Sequence, residues 1–188
     1  MNRPLDGIRV VALEQYMSGP YCSMLLADAG AEVIKIERPG LGDPRRLIPP
    51  FAEKGEKKKA GGFMAYNRNK KSLALNIRPD SGKKVFLDLV EKADVVVENL
   101  RPGSVDKMGM GYDTLKKINP ELIYAAISGF GRLDGFKGPD SHRPAFDIVA
   151  EAMSGIMNLV GYDDKPPSWT IYGMADIYSG LCTAYGIM

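Results

Sequence analysis

Residues 7–37 read GIRVVALEQYMSGPYCSMLLADAGAEVIKIE. The two ends, GIRVVALE and AEVIKIE, are short apolar runs rich in β-branched residues, the pattern of buried strands. The middle, GPYCSMLLADAG, has the marks of a helix, with Pro20 in its first turn and Gly30 as its stop. Strand, helix and strand in immediate succession is the unit from which parallel sheets are built.

The alternation continues outward from this unit. KKSLALNI (70–77) reads as a third strand, and RPDSGKKVFLDLVEKA (78–93) as a helix opening at Pro79. ADVVVEN (93–99) and ELIYAAISGF (121–130) are a fourth and a fifth strand. The fold class is therefore α/β with a mostly parallel sheet. The stretch from Pro39 to Gly62 reads as loop, and the charged run EKGEKKK within it as a solvated one. The last residues, GLCTAYGIM, read as an apolar helix that meets no Gly or Pro stop, so the chain is expected to be part of something larger.

Composition narrows the function classes. The chain has 188 residues, a net charge of +2 and no low-complexity tract, as in an ordinary globular domain. That balance gives no reason to expect a nucleic-acid or membrane partner. No apolar run approaches the roughly 20 residues of a membrane span, and MNRPLDGIRVV is no signal peptide. Cys22 and Cys182 fit no metal spacing. A cytoplasmic protein with reduced thiols and no metal is expected.

In parallel α/β sheets ligands bind beyond the carboxyl ends of the strands. Here those ends carry EQYMSGP, ERPGLGD, ENLRPGS and SGFGRLDG, which are rich in polar residues and glycine. SGP opens a helix whose free N–H groups suit an anion. Arg38, Arg68, Lys70, Lys71, Arg101, Lys107 and Arg143 are the candidate cations for a phosphate-rich ligand. Asn99 suits a hydrogen bond to an amide, or simply starts a turn. SGFG fits neither the phosphate-loop pattern nor the dinucleotide fingerprint. His142, the only histidine, has no evident catalytic partner. Asp176 is the one carboxylate in the apolar segment SWTIYGMADIYSGLCTAYGIM (168–188). It reads either as the N-cap of the helix that follows or as a nucleophile in a dry pocket.

Taken together, LDGIRVVALEQYMSGPY, LLADAGAEVIKIERPGLGDPRR, the long block from NRNKKS to SGFG, PAFDIVAEAMSGIMNLVG and MADIYSG resemble the family III CoA-transferases over the full length of the chain. The resemblance implies a Rossmann-like large domain that binds coenzyme A, with residues 1–188 as its N-terminal part and the family's C-terminal small domain lacking. It implies transfer of CoA from an acyl-CoA donor to a carboxylic acid, with Asp176 as the nucleophile. Arg38 matches the arginine at the adenine-nucleotide end of CoA, and Asn99 with Leu100 matches a CoA-contacting pair. Lys107 stands where the family often has arginine, and Tyr16 and Met17 match the loop near the thioester. Lys71 and Arg143 are further expected CoA contacts. Family members form interlocked dimers, so a homodimer or a partner chain is implied. Met17 replaces the glutamine of formyl-CoA transferase, and Phe146 replaces a histidine of the α-methylacyl-CoA racemase. The second difference favours transfer over racemisation.

Overall fold

The computed structural model describes residues 3–54 and 57–188. The first unit is β1 (Arg9–Leu13), α1 (Ser18–Asp28) and β2 (Glu32–Glu37). A short antiparallel hairpin follows, β3 (Phe51–Lys54) and β4 (Lys57–Ala60), then α2 (Gly61–Tyr66), β5 (Lys71–Ala74) and α3 (Asp80–Val90). Next come β6 (Val95–Glu98), the short helices α4 (Ser104–Lys107) and α5 (Tyr112–Ile118), and β7 (Ile123–Ala126). The chain closes with α6 (Asp147–Ser154) and α7 (Met174–Ile187).

Five strands form one sheet in the order β5-β2-β1-β6-β7, and every neighbouring pair is parallel. Side chains alternate across β1, so Val10 and Ala12 face one side and Val11 and Leu13 the other. The first face packs with Cys22, Leu26 and Ala27 of α1 and Ala184 of α7. The second packs with Phe86 and Val90 of α3 and Leu115 of α5. Both faces of the sheet are covered, which is why β1 and β6 read as unbroken apolar runs. The strand order reverses between β1 and β6. A crevice opens where the loops leaving those two strands diverge.

Several local expectations shift. The third strand is shorter than KKSLALNI, and α3 begins one residue after Pro79. Pro39–Gly62 is not uniformly loop: it holds a 3-10 turn at Pro44–Leu47, the hairpin and the start of α2. Part of EKGEKKK lies outside the described residues, but Glu53 and Lys58 pair across the hairpin at 3.0 Å. Phe51, Ala52, Glu53, Lys58 and Lys59 are exposed and the run has no apolar alternation, so nothing in its pattern marks it as strand. Among the described residues no helix is long and apolar enough to cross a membrane.

Candidate active site

The loops after β1 and β6 are tied together by one side chain. Asn99 Oδ1 accepts the Gln15 N–H at 2.8 Å, while its Nδ2 donates to the Gln15 carbonyl at 2.8 Å and to Ser18 Oγ at 3.1 Å. Asn99 is thus spent on building the crevice. Tyr16, the next residue, has a left-handed backbone with φ 64°, a conformation that costs a non-glycine residue of order 1–3 kcal/mol. Its N–H donates to Asp43 Oδ1 at 3.2 Å.

A buried ionic cluster holds this loop from behind. Glu14 meets Lys70 at 2.8 Å and Lys35 at 3.5 Å, and Lys35 meets Asp43 at 2.8 Å. Ser23 Oγ donates to Glu14 at 2.7 Å. Burial would raise the Glu14 carboxyl, but Lys70 and Lys35 outweigh it and hold it below the usual range. The lysine inside the apolar strand EVIKIE was the sequence signal for this cluster.

Above the crevice lies a cavity of about 470 Å³, lined by Tyr16, Ser18, Asn99, Ser128, Phe146 and Asp176 among others. Tyr16 and Phe146 meet edge to face with ring centroids 5.9 Å apart. Asp176 is half-buried in the first turn of α7, and Gly173 holds the N-cap position expected of it. Gly173 has φ 85°, and a side chain there would strike the Met17 terminus, so glycine is required. The missing cap is supplied from α6. The Asp147 carboxylate accepts the N–H groups of Gly173 at 2.9 Å, Ala175 at 2.7 Å and Asp176 at 3.4 Å, and the Trp169 indole N–H at 3.3 Å. Glu151, one turn on, accepts the Thr170 N–H and hydroxyl at 3.0 and 2.7 Å.

Burial pushes the Asp176 carboxyl up to about 6, the nearby Asp147 charge adds to the rise, and Ser18 pulls against it. The carboxylate still predominates at neutral pH. Because the folded value lies above the usual 3.8, ionising Asp176 opposes folding. This penalty is absent below about pH 4, builds up to about pH 6 and is complete above it. Asp176→Asn should therefore stabilise the chain by about 2–3 kcal/mol at pH 7 and leave it unchanged near pH 4. Urea unfolding of both forms at the two pH values checks this.

A second, wider cavity of about 1060 Å³ adjoins the first and shares Gln15, Leu100 and Arg101 with it. Arg38 after β2, Arg78 after β5, Arg101 after β6 and Lys107 on α4 line this groove. Three cations that follow strands and a fourth from α4 line one groove, which suits a phosphate-rich ligand. Arg78 was not singled out from the sequence, although it too lies just past a strand end.

The structure gathers Tyr16 and Asp176 in the smaller cavity with Asn99, and Arg38 and Lys107 in the groove, with Leu100 between them. Met17 is buried beneath Gly173 and lines neither cavity. Lys71 and Arg143, expected as CoA contacts, are not brought to either. Lys71 starts β5 at the opposite edge of the sheet and pairs with Glu32. Arg143 pairs with Asp140 at 2.9 Å and lies over the Phe130 ring. Among the described residues no group of acidic, histidine or cysteine side chains could hold a metal ion.

The profile described as CoA-transferase family III matches residues 5–188. The chain is 47% identical over 188 residues to a succinyl-CoA:mesaconate CoA-transferase of Haloarcula marismortui, covering 98% of this chain and 46% of that protein. It is 43% identical over 185 residues to a succinyl-CoA:glutarate CoA-transferase of Mus musculus, covering 98% of this chain and 40% of that one. The chain therefore spans less than half the length of these relatives. The crystal structure of a CAIB/BAIF family protein from Brucella suis superposes with a TM-score of 0.91 at 41% identity, over 100% of this chain and 48% of the other.

Proposed function

As the chain belongs to CoA-transferase family III, we propose that it carries the coenzyme site and the nucleophile of an enzyme that moves CoA from an acyl-CoA to a carboxylic acid. Residues 1–188 are, on this reading, the N-terminal part of the CoA-binding large domain. The observation that carries it is the partly buried Asp176 in a small cavity that shares Gln15, Leu100 and Arg101 with the cationic groove. The nucleotide end of CoA lies along Arg38, Arg78, Arg101 and Lys107, and its thioester passes Leu100 to reach Asp176. The Asp176 carboxylate attacks the thioester carbonyl, forming a mixed anhydride as the carbon–sulfur bond breaks and CoA leaves as thiolate. The thiolate then attacks the Asp176 carbonyl of the anhydride, giving an aspartyl-CoA thioester and releasing the donor acid. The acceptor carboxylate attacks that thioester, and the thiolate adds to the new anhydride at the acyl carbonyl, restoring Asp176. Tyr16 and Phe146 narrow the cavity around Asp176 and limit hydrolysis of the activated esters.

The two curated relatives are named for succinyl-CoA, mesaconate and glutarate. Each of these groups is dicarboxylic, and we take the acids of this reaction to be of that class. We place the protein in the cytoplasm as an interlocked homodimer or with a partner chain; Cys22 and Cys182 are both free thiols. Hydroxylamine added to the full-length protein during incubation with an acyl-CoA should leave a hydroxamate on Asp176, read by peptide mass. A hydroxamate on Glu98 or Asp147 in its place would overturn the assignment of the nucleophile.

A further inference from the structure

Two adjacent arginines follow Pro44, and they have different surroundings. Arg46 forms a two-pronged pair with Glu37, at 2.7 and 2.8 Å. Arg45 is only 7% exposed, yet it forms no ion pair with any described residue, and its Nε has no hydrogen-bond partner among them. The carboxylates beside it in sequence are already committed: Glu37 to Arg46, and Asp43 to Lys35. Burying a cation without an anion is costly, and among the described residues this guanidinium has none.

Its neighbours narrow what that group is. The first three atoms that a side chain on Gly62 would meet all belong to the Arg45 guanidinium, so the absence of a side chain at 62 is what gives this arginine room. The Tyr172 ring lies 5.8 Å from the guanidinium carbon, on the turn that leads through Gly173 into α7. The Tyr66 phenol is raised by burial, pulled back by the Arg45 charge and raised again by Tyr172 and Asp176. Arg45 thus lies between Gly62 of α2 and the ring of Tyr172, which precedes Asp176 by four residues.

We propose that Arg45 binds the remote carboxylate of the dicarboxylic acid whose other carboxyl group reacts at Asp176, with Tyr66 and Tyr172 flanking it. Arg45 is thereby the residue that selects a dicarboxylic over a monocarboxylic acid; this rests on the transfer reading above and on Asp176 as acyl carrier. A planar guanidinium matches a carboxylate in two parallel hydrogen bonds, whereas a monocarboxylic acid of the same length would leave it unpaired.

The test compares succinate with butyrate in the full-length protein at one saturating acyl-CoA donor. Arg45→Met should lower kcat/KM for succinate by roughly a hundredfold while changing it little for butyrate. Arg45→Lys, which keeps the charge and loses the fork, should fall between the two. An equal loss with both acids would make Arg45 a structural pairing residue and overturn the proposal, as would no loss with either. Thermal unfolding supplies a readout that needs no turnover. Succinate should raise the midpoint of the wild type more than butyrate does, and that difference should vanish in Arg45→Met. Failure of the trapping at Asp176 with this thermal difference intact would sink the mechanism alone. Loss of the difference with trapping intact would sink Arg45 alone.

Discussion

Replacement of Asp176 by alanine in the full-length protein is expected to lower CoA transfer by roughly a thousandfold or more, the usual consequence of removing a covalent nucleophile. CoA affinity should survive, because the cations of the groove belong to other elements and Asp176 lines only the smaller cavity. Arg38→Ala is the contrasting change. A lost charge-assisted contact typically costs about 1.5–3 kcal/mol, so CoA should bind at least tenfold more weakly. Calorimetry with CoA and turnover with an acyl-CoA, measured on both variants, separate the two roles. Asp176→Asn should be as inactive as the alanine variant while being the more stable fold, since it retains the shape and removes the half-buried charge. Appreciable turnover in either Asp176 variant would exclude an aspartyl intermediate.

The largest expected effect on stability comes from Lys35→Met. Lys35 is 1% exposed, and both Glu14 and Asp43 lean on it. Methionine fills much the same volume but leaves Glu14 with Lys70 alone and Asp43 without its ion-pair partner. Breaking a buried pair by removing one partner costs about 3–5 kcal/mol, which in a chain of this size corresponds to a thermal midpoint lower by roughly 10 °C. Adding Asp43→Asn to Lys35→Met should recover part of the loss, because one orphaned charge is then removed. A double variant less stable than the single one would show that Asp43 serves its backbone contacts with Tyr16 and Arg45 more than it serves Lys35.

The sheet was legible because it is covered on both sides. β1, β2 and β6 are apolar runs bounded by turn residues, α1 carries a start and a stop signal, and α3 a start at Pro79. The β3–β4 hairpin, α4 and α5 were not legible, since short elements that bury little leave weak periodicity. At the site, Asp176 and Arg38 stood out by position, one alone in an apolar segment and the other past a strand end. Asp147 could not be seen as the cap of α7 from sequence: the contact spans 26 residues from Gly173 and exists only once α6 has docked. Lys71 is a different case. The sequence already puts it at the start of the third strand, and the parallel register, with Lys71 opposite Ile34 and Ala74 opposite Glu37, sets that start at the end of the sheet away from the cavities.

The two cavities share Gln15, Leu100 and Arg101 in their walls. With coenzyme A bound as proposed, the nucleotide is an anchor in the groove and the pantetheine arm is a tether to the thiol. Each time the thiolate leaves an acyl group it remains leashed beside the anhydride, at the millimolar effective concentration of a short linker or above. Recapture is then a first-order event that no dilution of free coenzyme can slow. The acids alone need to come and go, and the expensive carrier makes the whole round trip without leaving its berth.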